Sequence, residues 1–121
     1  MLIVRQGQME ALEAHARERF VRVMLAYLED RFPRHYAELG EPNVRHLVAS
    51  GITRAEAFGV RAEQDVAGLI HFMFDADPDF DRHPDYGWAV AALRQPGLEP
   101  SERVDRLFTE WQARRDGKGG A

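Results

Sequence analysis

Four aspartates at alternate positions, Asp75, Asp77, Asp79 and Asp81, are the densest group of chemistry-bearing side chains in the sequence. Oxygen ligands at that spacing resemble the first half of a calcium loop. Such a loop needs glycine at its sharp turn and a bidentate glutamate at its twelfth position, where this sequence has Phe80 and Tyr86. Beside Pro78 and Pro84 the aspartates read instead as turn and helix-cap residues, and no metal is expected. His71 precedes Asp75 by four residues, a spacing that lets a carboxylate orient an imidazole for proton transfer or metal binding. No His-Glu-x-x-His or repeated Glu-x-x-His accompanies it, and His15, His35, His46 and His83 are scattered. Ser50 and Ser101 stand in no nucleophile elbow, the glycines form no phosphate cradle, and there is no cysteine. No catalytic residue and no cofactor is expected, and the chain reads as a non-enzyme.

The lack of cysteine removes disulfide and thiolate chemistry and fits a reducing compartment, so a cytoplasmic location is expected. The net charge is -4 with basic and acidic residues interleaved. No continuous positive stripe can follow a phosphate backbone, and nucleic acid is not an expected partner. The apolar triplet Leu2 to Val4 is too short for a signal-peptide core. No apolar run approaches the ~20 residues that a membrane span requires.

These residues must be positioned by helices, because apolar positions recur at three- and four-residue steps and never alternate as in strands. Met9, Leu12, Ala16, Phe20, Val23, Met24, Tyr27 and Leu28 predict a helix from about Gln8 to Arg31, ended by Pro33. A short helix, Arg34 to Leu39, follows and closes at Gly40. Pro42 opens the next, with Val44, Leu47, Val48, Gly51, Ile52, Ala55 and Phe58 in register and Gly59-Val60 as a Schellman-type stop. Arg61 to Phe74 is apolar over much of its circumference and reads as the central helix. After a polar loop, Asp85 to Leu93 forms a short helix around Trp88. Pro100 opens the last one, with Val104, Leu107, Phe108 and Trp111 as its stripe and Leu98 as a staple before it. The expectation is an all-α, irregular compact bundle of five or six helices. One domain spans 1–115, with a flexible tail at 116–121. Its core lies around Phe20, Leu47, Ile52, Leu69 and Trp88.

Apolar surface is the remaining source of function. The chain has seven Phe, two Trp and three Tyr, and aromatic side chains anchor interfaces. Tyr27, Phe72, Phe80, Trp88 and Trp111 are the expected partner-binding residues. Spare apolar residues on a helix also serve a second copy of the chain, so a homo-oligomer is an alternative occupant.

The succession Met9-x-x-Leu12, Phe20, Phe32-Pro33, Leu39-Gly40, Gly51-Ile52-x-x-Ala55, Phe58-Gly59-Val60, Asp65-Val66, Met73-Phe74, Asp79-Phe80-Asp81, Pro84, Trp88-Ala89 and Arg103-Val104 covers nearly the whole chain. It resembles small helical proteins encoded in bacterial type VI secretion effector operons, near spike, tip and adaptor genes. The resemblance implies an accessory protein, an adaptor or co-chaperone that holds a toxic effector and loads it on the secretion apparatus. It brings no active site with it. The sequence departs from the group at Asp75-Ala76-Asp77, where the group has an apolar or glycine-containing run. The function expected is a protein-binding module for a secreted effector or adaptor. One alternative is an immunity protein whose acidic loop, Asp75 to Asp85, covers a basic toxin site. Another is a metal-dependent enzyme built on that loop and His71.

Overall fold

The computed structural model describes the backbone of residues 6–120 and the side chains of 13–117. The described residues form an all-α bundle with no strand. In chain order the helices are α1 (Gln6–Arg31), α2 (Pro33–Leu39), α3 (Glu41–Ala57), α4 (Glu63–Asp75), α5 (Gly87–Leu93) and α6 (Pro100–Gly120). Two single 3-10 turns, Phe80–Arg82 and Pro84–Tyr86, lie between α4 and α5. The arm Leu2 to Val4 and the side chains of Met9 and Leu12 fall outside the described residues. Contacts group into two units, Met1–Ala49 and Ser50–Ala121, and α3 runs from one into the other.

In the first unit α1 buries Val21, Met24, Leu25 and Leu28, while Val23 is 59% and Tyr27 37% exposed. The apolar stripe read from spacing, which includes Val23 and Tyr27, is therefore buried only in part, and the exposure of Tyr27 agrees with its choice as a residue outside the core. Apolar residues at 20, 21, 23, 24, 25, 27 and 28 cover more than one arc of the helix, so spacing alone cannot choose the buried one. The break at Pro33 behaves as its ring dictates: α1 stops at Arg31 and Pro33 takes the first turn of α2, where its missing N–H costs nothing. Gly40, at φ 82°, ends α2 and donates its N–H to Tyr36 O. Glu18 and Arg45 pair at 3.0 Å with both side chains about half exposed, so that bridge contributes little.

In the second unit α3 closes as expected. Val60 N–H donates to Ala55 O at 2.8 Å, Gly59 N–H donates to Glu56 O at 2.9 Å, and Gly59 has φ 75°. Those are the two bonds of a Schellman motif, and Val60 is fully buried. Helix α4 is the central helix, burying Val66, Leu69, Ile70, Phe72, Met73 and Phe74. Of the residues expected at the heart of the core, Leu69 is fully buried and Phe20, Leu47, Ile52 and Trp88 are half-buried. Two glycines let helices come close: a Cβ on Gly51 would meet Ile70 Cγ1 at 2.6 Å, and one on Gly68 would meet Phe108 Cε2 at 3.3 Å.

Helix ends are tied by side chains. Arg103 Nη1 donates to Phe58 O and to Leu93 O, each at 2.9 Å. A cation thereby meets the carbonyl ends of α3 and α5, where the helix dipole is negative. Glu102 Oε1 accepts from Glu99 N–H at 3.0 Å, half of a capping box at the start of α6. The buried carboxylate of Asp65 accepts from Ser101 Oγ, joining the first turns of α4 and α6. Helix α6 continues past Asp116, where the tail was expected. Gln112 Nε2 donates to Asp116 Oδ1 across one turn at 3.0 Å, and nothing crowds Gly117.

Candidate functional site

The acidic loop folds around an arginine. Arg54, at the end of α3 and with its side chain 15% exposed, reaches Asp79 Oδ1 at 2.8 Å and Asp81 Oδ1 at 3.2 Å. Its Nη1 also donates to the carbonyl of Pro78. Asp79 N–H donates to Asp77 Oδ1 at 2.7 Å, a turn in which an aspartate oxygen takes the place of a backbone carbonyl. The guanidinium thus supplies positive charge where a cation would sit in a calcium loop. Its hydrogen bond holds the Asp79 carboxyl below the usual carboxylate range. Among the described residues no group of three or more metal-ligating side chains is placed to hold an ion. Asp75, expected to share a helical face with His71, pairs with Arg115 at 3.5 Å. The half-buried His71 ring meets the Phe108 ring at 6.1 Å. In the first unit, burial raises the Tyr36 phenol, helped by the carboxylates of Glu41 and Glu29.

Phe72 is the hub of an aromatic cluster. Its ring meets those of Phe80 at 5.2 Å, Tyr86 at 6.0 Å, Trp88 at 6.0 Å and Trp111 at 4.9 Å, each within a few degrees of perpendicular. Edge-to-face packing at these distances is favourable beyond the area it buries. Phe72 and Phe80 are both fully buried, which corrects their assignment as partner-binding residues. The turn Phe80–Arg82 folds its aromatic ring inward against Phe72 and Phe58, leaving no face for a partner. Tyr27 is exposed, but it belongs to the first unit, where Arg31 lies 5.9 Å over its ring.

The other two expected residues come together. Trp88 and Trp111, both half-buried, line one open cleft of about 650 Å³ with Tyr86. Each indole carries an arginine from the C-terminal half of α6: Arg114 lies 4.5 Å over Trp88, and Arg115 lies 4.8 Å over Trp111. At the rim His83 Nδ1 accepts from Asp85 N–H at 3.1 Å and caps the turn Pro84–Tyr86. That nitrogen acts as an acceptor here, while the ring packs on Tyr86 at 5.5 Å. Sequence reasoning missed Tyr86, Arg114 and Arg115. The spacing of Trp111 and Arg115, four apart on one helix, was a readable signal. The approach of Arg114 to Trp88, 26 residues away in sequence, was not.

Compared with known proteins, the chain matches no family model, no curated protein and no solved structure. Among the described residues no helix is long and apolar enough to cross a membrane. The cleft presents ring faces, two guanidinium groups and the carboxylates of Asp77 and Asp85.

Proposed function

We propose that the chain is a non-enzymatic protein-binding module that docks its partner through the cleft of Tyr86, Trp88 and Trp111. The observation that carries this reading is the pair of half-buried tryptophans. Each has one side seated on the buried Phe72 ring and an arginine over its face. Tryptophan, tyrosine and arginine carry a disproportionate share of interface energy, and rings fixed before binding lose little entropy when a partner arrives. A stable complex would bury on the order of 1,000 Å² or more around these anchors.

The resemblance in sequence supports a secreted effector or its adaptor as the partner, met in the cytoplasm, with an adaptor or co-chaperone role. The alternative of an immunity protein is less favoured. Its acidic loop already spends Asp79 and Asp81 on Arg54 and Asp75 on Arg115, leaving less charge for a basic toxin site.

Tagged wild type, Trp88→Ala and Arg114→Glu, each checked for unchanged helical content, can be purified from the native host, with mass spectrometry and light scattering of the eluates. A stoichiometric protein held by wild type and lost from both variants is expected. The same protein on all three would remove the cleft from the interface. A homo-oligomer or a bare monomer would contradict the binding-module reading.

A further inference from the structure

The two arginine–tryptophan pairs of the cleft are alike except in one respect. Arg115 stacks over Trp111 and also pairs with a carboxylate, Asp75, at 3.5 Å. Arg114 stacks over Trp88 at a slightly shorter distance, yet no carboxylate among the described residues pairs with it. Of the acidic residues that line the cleft, neither Asp77, which accepts from Asp79 N–H, nor the exposed Asp85 beside His83 forms an ion pair with it. A guanidinium over an aromatic ring keeps its N–H fork at the edge, where it can take a carboxylate with two parallel hydrogen bonds. The ring below also displaces water, which makes such a pair stronger than one on open surface. Among the described residues the cleft therefore holds one indole–guanidinium stack with a carboxylate beside it and a second without one.

We infer that Trp88 and Arg114 form a subsite for the side-chain carboxylate of an aspartate or glutamate on the docked protein, with an apolar neighbour of that residue lying on Tyr86 and Trp111. The inference rests on the reading of the cleft as a docking site and adds the chemistry that the partner must present. Asp75 beside Arg115 is itself a side-chain carboxylate, the same chemistry that the partner's acid would bring to Arg114.

The experiment is selection of random peptides displayed as fusions through their C-termini, so that no free chain carboxylate is offered, on immobilised full-length wild type, Arg114→Gln and Trp88→Ala. Arg114 is an exposed helix residue, so its replacement should leave the fold intact; circular dichroism checks both variants. The chain has two tryptophans, and both line the cleft, so intrinsic fluorescence then measures the affinity of a selected synthetic peptide. The expected result is a fixed Asp or Glu beside an apolar residue in the peptides that wild type enriches. Changing that acid to its amide, or Arg114 to Gln, should each weaken binding on the order of tenfold, and the two changes together should cost little more than either. Peptides that lose binding with Trp88→Ala but carry no fixed acid, or that bind Arg114→Gln equally well, would overturn the carboxylate subsite and leave the cleft as a docking site. A set fixed in Lys or Arg would overturn it as well. Enrichment that depends on neither residue, or no enrichment, would overturn both readings.

Discussion

Replacing Phe72 by alanine should cost about 3–5 kcal/mol, the range for emptying a fully buried phenylalanine site. The ring is 0% exposed and four aromatic neighbours lean on it from the two 3-10 turns, α5 and α6. Each such pair is worth roughly 0.5–1.5 kcal/mol beyond its buried area, which places the loss in the upper half of that range. A chain of 121 residues has a net stability of roughly 6–18 kcal/mol, so the variant folds with a visibly reduced margin. Phe72→Leu is the control. It keeps part of the volume and so should cost less than Phe72→Ala, while still removing the ring edges under Trp88 and Trp111. Urea unfolding followed by tryptophan fluorescence is the assay, because both tryptophans of the chain touch Phe72. Both variants should lose near-UV circular dichroism in the folded state. A cost below about 1 kcal/mol for Phe72→Ala, with unaltered tryptophan spectra, would refute the view that this ring preorganises the cleft.

Gly51→Ala should lower the melting temperature although alanine favours a helix by about 1 kcal/mol. The new Cβ would lie 2.6 Å from Ile70 Cγ1 and 3.4 Å from Met73 Sδ, both in fully buried residues, and such overpacking costs about 1–3 kcal/mol. Gly68→Ala meets Phe108 and Val104 at 3.3 and 3.4 Å, and the half-buried Phe108 can shift, so that variant should melt at or above wild type; the reverse order by calorimetry would contradict this packing. The Arg54–Asp79 latch should depend on pH with a defined sign. Its folded carboxyl titrates below the usual range because of Arg54, so its contribution is complete above the ordinary aspartate range and disappears as pH falls through the lower folded value. Carbon-detected NMR titration of Asp79 should show its midpoint rising in Arg54→Met, and an unmoved midpoint would remove Arg54 as the cause.

Much of the fold was legible in the sequence because its signals are local. Pro33, Gly40, Gly59 and Pro100 end or start helices through their own backbone constraints, and each does so where expected. The choice of face on α1 was less legible. Val21, Met24, Leu25 and Leu28 obey the same spacing as Phe20, Val23, Met24 and Tyr27, and only packing selects between arcs. Of the five residues expected to bind a partner, Trp88 and Trp111 share a cleft, Tyr27 is exposed elsewhere, and Phe72 and Phe80 are interior. Aromatic type alone does not say whether a ring lies in a core or on its rim, since both are stabilised by apolar contact.

The sequence by itself determined that the chain is helical, where most helices begin and end, and that its chemistry-bearing residues follow no familiar catalytic spacing. These properties depend on residues within a few positions of one another. Only the tertiary structure decided that Arg54 holds the acidic loop, that Arg103 joins the ends of two helices, and that Arg114 lies on Trp88. Those contacts bring together residues that stand 10 to 45 positions apart in the chain, a proximity created by helix packing that no local pattern encodes.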